Sequence, residues 1–92
     1  MSRWRYRAAP RFWRNFRKLS PRQQEATRKV WQIFKVDPFD ARLGTHKINS
    51  LSAIFRRTVY AVVVEGDLRV TFYIEGDVFF TTNIGTHDIY KT

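Results

Sequence analysis

The sequence predicts an α+β domain in which an N-terminal helix hairpin packs on a small, mostly antiparallel sheet, in the order βααβββ. Residues 1–36 combine one alternating segment with two amphipathic segments of helical period. The second half is rich in β-branched and aromatic residues and is divided by two Glu-Gly-Asp turns. A chain of 92 residues suits one domain, 1–92, with one core.

The N-terminal segment begins with a strand pattern and continues into a helix. Residues Arg3–Ala8 alternate polar and apolar types, which is the period of a half-buried strand. The inward-facing side chains of this strand would be Trp4, Tyr6 and Ala8. Pro10 suits the first turn of a helix, so we predict a short amphipathic helix over residues 10–19. Its apolar positions are Phe12, Phe16 and Leu19.

The second predicted helix has a clear beginning and end. Ser20 is a good N-cap, Pro21 occupies the first helical position, and Gln23 completes a capping box. The apolar face of this helix consists of Ala26, Val30, Ile33 and Phe34. The helix should end at Asp37-Pro38, because the residue before a proline avoids the helical region. Two helices joined by so short a turn are expected to pair as a hairpin.

The segment between the helices and the sheet, residues 39–53, shows no sustained period. We therefore interpret it as an irregular loop that contacts the core at Leu43 and Ile48. His46 and Lys47 lie on this loop, shortly before the predicted sheet.

The C-terminal half is predicted to form three strands. The segments Ile54–Val64, Leu68–Ile74 and Val78–Ile84 are rich in β-branched and aromatic residues. A Glu-Gly-Asp turn separates each strand from the next, at residues 65–67 and 75–77. Consecutive strands joined by such short turns pair antiparallel.

The two turns also predict which residues face each other. With residues 64 and 68 flanking the first turn and 74 and 78 the second, the pairs are 62 with 70, 63 with 69, 72 with 80 and 69 with 83. The predicted core face then carries Val62, Val64, Leu68, Val70, Phe72 and Phe80. The opposite face carries Ala61, Arg69, Thr71, Tyr73 and Asn83. This second face is not very polar, so we expect it to be concave or covered by a partner.

Composition excludes several classes of protein. There is no cysteine, so neither a disulfide framework nor a thiolate metal site can form, and there are only two histidines. The most apolar stretch, Val59–Val64, has six residues, far short of the ~20 that span a bilayer. No apolar segment follows the charged start Met1–Arg5 in the manner of a secretory signal. We expect a cytoplasmic protein with no membrane partner.

The charge is concentrated in the first third of the chain. The net charge is +9 overall; residues 1–35 carry eleven Lys and Arg and one acid, or +10. Residues 36–92 carry six Lys and Arg and seven acids, or −1. Such asymmetry indicates that the N-terminal part meets a polyanion or an acidic protein, or else presents a solvated basic face.

Three places in the sequence carry side chains suited to chemistry. Arg69 is the only charged residue within its predicted strand, and the segment after the last strand carries His87 and Tyr90. The loop before the sheet carries His46 and Lys47. If the tail folds back along the sheet, His87 and Tyr90 approach Arg69.

Together these residue types could cleave a phosphodiester bond of RNA without a metal or another cofactor. The 2′-oxygen attacks the adjacent phosphate once a base removes its proton, and the leaving 5′-oxygen needs an acid. Histidine can serve as either near neutral pH. Arginine holds phosphate oxygens with a fixed fork of donors, and tyrosine can stack on a base or donate a proton.

Each of these residues also has a structural interpretation when taken alone. Arg69 could be a solvated residue of the strand, and His87 could cap the turn through a side-chain hydrogen bond. Tyr90 could close the edge of the core, and His46 alone fits a structural role better than a catalytic one. A function therefore follows only from the set.

The order of these motifs resembles that of the RelE/ParE toxin superfamily, and within it the RelE-like and YafQ-like mRNA interferases. The resemblance covers nearly the whole chain, from the N-terminal strand and helix hairpin onward. Its segments are Arg17-Lys18-Leu19 before Ser-Pro, Asp37-Pro38, Leu43–Ile48, Val64–Val70 and Asn83–Tyr90. The last two segments are the most specific.

The resemblance implies the toxin of a bacterial or archaeal type II toxin–antitoxin pair. Such a toxin is wrapped and neutralised by a cognate antitoxin, and the pair usually represses its own operon. Operator DNA would therefore be met only through the antitoxin complex. RelE-like toxins cut mRNA in the ribosomal A site, so the ribosome and mRNA are implied partners.

The resemblance also implies roles for particular residues. Arg69 would contact the scissile phosphate, His87 would be the general acid or base, and Tyr90 would stack on the mRNA or assist proton transfer. His46, the fourth implied catalytic residue, and Asp67 match positions used in the YafQ-like branch. The implied RNA contacts are Asp67, Lys47 and the basic helix residues Arg14, Arg17, Lys18 and Arg22, which would face ribosomal RNA.

Two other functions stay open on the sequence. Several relatives place Lys or His on the strand before the Gly-Asp turn, whereas Tyr60–Val64 has no titratable group other than Tyr60. That difference favours a catalytically silent module that binds an antitoxin or serves in transcriptional control. A ParE-like inhibitor of DNA gyrase is the third interpretation, although such toxins do not depend on a His and Tyr tail.

Overall fold

The computed structural model describes residues 4–91, and its N-terminal part is a strand followed by a helix hairpin. Strand β1 (Arg5–Ala8) leads into helix α1 (Pro10–Arg17), and helix α2 (Pro21–Phe34) follows after a short turn. Met1, Ser2 and Arg3, including the predicted first residue of the strand, lie outside the described residues. Helix α1 ends two residues earlier than predicted, because Lys18 caps it.

Helix α2 begins as its sequence predicts. The backbone N–H of Gln23 donates to Ser20 Oγ at 3.2 Å, and the Ser20 N–H donates to Gln23 Oε1 at 3.1 Å. Both bonds of the capping box are therefore present, with Pro21 in the first turn. The helix ends at Phe34, about one turn before Pro38, where the sequence predicted its end.

The segment interpreted as an irregular loop is instead regular over most of its length. A 3₁₀ helix (Ala41–Leu43), a short strand β2 (His46–Lys47) and a helix α3 (Asn49–Phe55) replace it. The predicted strand from Ile54 is wrong at its beginning, since α3 ends in a left-handed Arg56, with φ of 57°. A helix this short depends on packing rather than on propensity, so its sequence signal is weak.

Five strands form one sheet in the order β1-β5-β4-β3-β2. Strands β3 (Tyr60–Glu65), β4 (Leu68–Glu75) and β5 (Val78–Gly85) form the predicted antiparallel meander. Strand β1 pairs in parallel with β5, and β2 adds an antiparallel edge beside β3. The α+β class, with a helix hairpin on a mostly antiparallel sheet, is confirmed. No helix within residues 4–91 is long and apolar enough to cross a membrane.

The predicted strand pairing is confirmed for one hairpin and wrong for the other. Between β3 and β4 the two-residue turn alone would pair Val64 with Arg69, but a bulge at Val64 restores the predicted pairs, Val63 with Arg69 among them. Between β4 and β5 the turn is also two residues long, but its bulge lies farther from the turn, at Thr82 of β5. Phe72 therefore pairs with Thr81, and Phe79 replaces Phe80 on the core face.

Side chains are buried on both faces of the sheet. The helix hairpin covers the main core, which consists of Phe12, Phe34, Leu43, Val62, Leu68, Val70, Phe72, Phe79 and Ile84. Helix α3 covers a second cluster, which consists of Ile48, Leu51, Val59 and Ala61. The predicted burial of Leu43 and Ile48 is thus confirmed. The expectation of an open or partner-covered second face is wrong where α3 packs, because the chain itself covers it.

Candidate active site

The candidate site lies where the β3–β4 turn meets the end of β5. Because Gly85 pairs with Arg69, the chain leaves the sheet directly beside the predicted phosphate ligand. A 3₁₀ helix (His87–Lys91) then folds back against β5. A Cβ atom on Gly85 would lie 2.7 Å from Ile89 Cγ2, so any other residue here would force the Ile89 side chain to shift. The tail therefore approaches Arg69 as the sequence led us to expect.

His87 and Asp67 form the central pair of the site. The Nδ1 atom of His87 lies 2.9 and 3.0 Å from the two carboxylate oxygens of Asp67. An ionised carboxylate only accepts hydrogen bonds, so Nδ1 carries the proton and donates it. The Nε2 atom then faces outward, 4.0 Å from Asp88 Oδ1, and about 61% of the His87 side chain is exposed. The geometry leaves an accessible ring nitrogen of fixed tautomer.

Asp67 is the acidic side of this pair at neutral pH. The hydrogen bond from His87 lowers the pKa of Asp67 below its ordinary value of 3.8, and the charges of His87 and Arg69 lower it further. The resemblance implied that Asp67 contacts RNA. In the structure its carboxylate accepts a hydrogen bond from His87. Twenty positions separate the two residues, so no local spacing could reveal the pair.

Arg69 lies on the same side of the sheet, held by the turn that carries Asp67. Its Nη1 donates to the carbonyl oxygen of Gly66 at 2.7 Å, which fixes the guanidinium over the turn. Gly66 makes this possible with a positive φ of 49° that turns the chain tightly. The role of the Gly66 carbonyl could not be found from side-chain types, since it is a backbone contact.

Tyr90 completes the group from the tail. Its ring packs against the second cluster beneath α3, and Ser50 Oγ donates to its carbonyl oxygen at 3.3 Å. The Tyr90 hydroxyl oxygen is buried, and no partner within residues 4–91 meets hydrogen-bond geometry with it. Burial raises the pKa of Tyr90, while the nearby Arg69 charge acts against that rise. The phenol therefore keeps its proton at neutral pH.

The His87–Asp67 pair makes a direct prediction for titration. In the His87→Ala variant the pKa of Asp67 should rise towards its ordinary 3.8, because the hydrogen bond from His87 is its largest stabilising cause. Carboxyl-carbon NMR from low to neutral pH measures this midpoint. Asp40 is the matched control: its bonds from Arg42 lower its pKa to about 2, and that value should stay. An unmoved Asp67 midpoint would contradict the pairing.

The same pair also contributes to folding with a defined sign. Because the Asp67 pKa is lower in the folded state, its stabilising contribution is present above about pH 4. That contribution is lost as the pH falls through the depressed folded value.

The structure does not bring His46 and Lys47 into this group. Both lie on the edge strand β2, where His46 pairs with Ala61 and Lys47 with Tyr60. One strand, β3, therefore separates them from β4, which carries Arg69. His46 Nδ1 lies 2.9 Å from the Gly44 carbonyl oxygen, and no hydrogen bond or ion pair within residues 4–91 joins it to Arg69 or His87.

The predicted RNA-contacting residues of the helix hairpin are exposed. Arg14 and Arg17 lie on α1, Lys18 caps that helix, and all three are open to solvent. Arg22 differs from them because it faces the site: its Nε lies 4.0 Å from Glu65 Oε2. A cleft of about 360 Å³ is lined by Arg22, Glu65, Asp67 and Thr86, among others. The sequence reasoning missed Glu65 and Thr86, which have no distinctive motif of their own.

A second concave surface lies between the two helices of the hairpin. This groove, of about 480 Å³, is lined mostly by apolar and aromatic side chains, including Phe12, Trp13, Phe16, Val30 and Trp31. Trp13 is 48% exposed at its edge, although it is a large apolar residue. Arg7 and Arg28 contribute the charged part of the lining. We refer to this surface below as the helix groove.

Comparison with known proteins identifies the fold. No protein family and no curated protein matches the sequence. The chain is similar in structure to a chain of the archaeal RelE–RelB complex from Pyrococcus horikoshii OT3, with a TM-score of 0.70 at 12% sequence identity. The similarity covers 90% of this chain and 93% of that one. The protein therefore has the RelE-like fold, as the sequence resemblance implied; the RelE-like and YafQ-like branches are not separated by it.

Proposed function

We propose that this protein is the toxin of a bacterial or archaeal type II toxin–antitoxin pair and cleaves mRNA in the cytoplasm, on the translating ribosome. The observation that carries the proposal is the His87–Asp67 pair beside Arg69, on a RelE-like fold. An imidazole oriented by a carboxylate, next to a fixed guanidinium, is a constellation suited to moving protons at a phosphate.

His87 would move the protons of the reaction. With Nδ1 donating to Asp67, neutral Nε2 can accept the proton of the attacking RNA 2′-hydroxyl. The 2′-oxygen then bonds to phosphorus while the bond to the 5′-oxygen breaks, which leaves a 2′,3′-cyclic phosphate. The leaving 5′-oxygen takes a proton, and the products are balanced without any further reagent.

Arg69 and Tyr90 would act on the other atoms of the same step. The Arg69 guanidinium can stabilise the negative charge that builds on the phosphate oxygens. Tyr90 would protonate the 5′-oxygen or stack on a base, as the resemblance implies, and its hydroxyl, which is buried in the free protein, would first have to be exposed to the RNA. The conformation of Tyr90 depends on α3, which packs against it.

The basic hairpin supports RNA as the polyanion. Residues 1–35 carry a net charge of +10, and Arg14, Arg17 and Lys18 are exposed on the outer surface of the hairpin. Such a surface attracts phosphates without reading sequence, as binding to ribosomal RNA requires. Lys47 would then contact RNA at the sheet edge, and His46 beside it lies outside the catalytic group.

The helix groove supports a protein antitoxin as the second partner. Its apolar lining has few groups that could bond the polar edges of a nucleobase, so apolar side chains fit it better. The surrounding cations favour acidic residues on the same partner. We propose an acidic, amphipathic antitoxin segment as its occupant. Operator DNA would be bound only by that complex.

The test is mapping of new RNA 5′-ends in a cell-free translation reaction with a reporter mRNA. We expect ends within codons of translated mRNA, and none when translation initiation is blocked. A known mRNA interferase serves as the positive control for the reaction. Intact mRNA beside an active control would overturn the nuclease proposal. A parallel DNA supercoiling assay then separates gyrase inhibition from a silent antitoxin-binding module.

A further inference from the structure

We propose that the cleft between the start of α2 and the β3–β4 turn binds the nucleotide next to the scissile phosphate. Arg22 would hold the phosphate of that nucleotide, and Glu65 would contact its base. This inference rests on the proposed ribonuclease function, because it assigns a subsite of the same active site.

The position of the cleft carries the first step. Asp67 forms part of its wall and also bonds His87 Nδ1. Thr86 also lines the cleft, and it is the residue directly before His87. A group bound in the cleft therefore lies beside the proposed proton-transferring residue, within reach of a neighbouring nucleotide of the same strand.

Arg22 provides a cation that can change partners. Its side chain is 87% exposed, and its contact with Glu65 is long, at 4.0 Å. An exposed ion pair of this kind contributes little to stability, so exchanging the carboxylate for a phosphate has a small cost. The planar guanidinium also matches phosphate oxygens with two parallel donors.

Glu65 provides selectivity for the base. Glu65 is the last residue of β3 and lines the cleft, and its side chain is 37% exposed. An ionised carboxylate only accepts hydrogen bonds, so it favours a base that presents an amino group. Adenine, cytosine and guanine each carry one, whereas uracil has no amino group and its single N3–H donor is flanked by two carbonyl oxygens that repel a carboxylate. Glu65 should therefore discriminate against uracil at this position.

The chemistry of the cleft distinguishes it from the helix groove. The cleft combines a cation, two carboxylates and a hydroxyl within a small volume, from Arg22, Glu65, Asp67 and Thr86. A nucleotide needs this mixture, because its phosphate is an acceptor and its base has donors and acceptors. An apolar peptide segment would leave these polar groups without partners.

The experiment uses a reporter mRNA with randomised codons in the translation reaction, cleaved by wild type and by two variants. In Glu65→Gln the amide can donate to uracil oxygens, so cleavage beside uracil should rise about tenfold relative to other bases. In Arg22→Ala the protein concentration for half-maximal cleavage should rise about tenfold, with the base preference unchanged. Arg5→Ala is the control, because its exposed pair with Asp77 lies at the other end of the sheet.

The outcomes separate this inference from the function on which it rests. If wild type cleaves mRNA, and Arg22→Ala matches Arg5→Ala while Glu65→Gln keeps the wild-type base profile, the subsite is wrong and the nuclease stands. If wild type cleaves nothing beside an active interferase, both are overturned. Thermal unfolding of each variant checks the fold, which these exposed substitutions should preserve.

Discussion

Replacing His87 with alanine should lower mRNA cleavage by about 10²–10⁴-fold, the range expected for loss of a general acid or base. The His87 side chain is 61% exposed and contacts Asp67 rather than the core, so the variant should stay folded. The measurement is the rate of appearance of new 5′-ends in the translation reaction, together with growth arrest on induction. Circular dichroism of the purified variant reports the fold.

His46→Ala is the matched control for this prediction. It removes the other histidine of the chain, which lies on β2. There the ring bonds the Gly44 carbonyl, outside the catalytic group. We expect its cleavage rate to stay within a few-fold of wild type. Equal losses in the two variants would contradict the geometric separation, and full activity of His87→Ala would show that the nuclease assignment is wrong.

Replacing Phe72 with alanine should lower the free energy of unfolding by about 3–5 kcal/mol. The Phe72 ring is fully buried at the centre of the main core, with its centroid 4.9 Å from that of Phe34 and 5.4 Å from that of Tyr60. A domain of this size has roughly 5–15 kcal/mol in total, so the loss is a large part of its stability. Denaturant unfolding, followed by fluorescence, measures the change.

Two further variants test the placement of Phe72. Val36→Ala removes a side chain that is 76% exposed, and its effect should stay within about 0.5 kcal/mol. Phe80→Ala should lower the free energy of unfolding less than Phe72→Ala does. Phe80 is half-buried on the other face of the sheet, where its ring stacks on that of Tyr73 with the centroids 5.2 Å apart. A greater loss for Phe80 would restore the pairing predicted from sequence and contradict the observed one.

The sequence predicted the parts of this fold whose signals are local. The capping box from Ser20 to Gln23 fixes the start of α2, because a cap is complete within four residues. The alternation of β3 and β4 places Val62 and Val70 on the core face, since a strand has a period of two. Arg69, His87 and Tyr90 were also predicted as one set, although only by folding the tail back.

Tertiary structure alone decided the features that depend on distant segments. The two-residue turn between β4 and β5, with its bulge delayed to Thr82, shifts this part of β5 by one position and places Phe79 in the core instead of Phe80. The short helix α3 forms because Leu51 is buried against the second face of the sheet, and its own seven residues carry little helical signal. Neither a bulge position nor a packing partner is encoded within the few residues that a periodic pattern samples.

The candidate site divides in the same way. Residue types predicted a histidine, an arginine and a tyrosine suited to phosphate chemistry, together with the basic N-terminal third that favours a polyanion. Only the structure shows that His87 bonds Asp67, that His46 lies on the sheet edge and that Arg22 lines the cleft beside the His87–Asp67 pair. The physical reason is that side-chain chemistry belongs to single residues, whereas a site forms only when the sheet pairing and the returning tail bring residues far apart in the chain within hydrogen-bond distance.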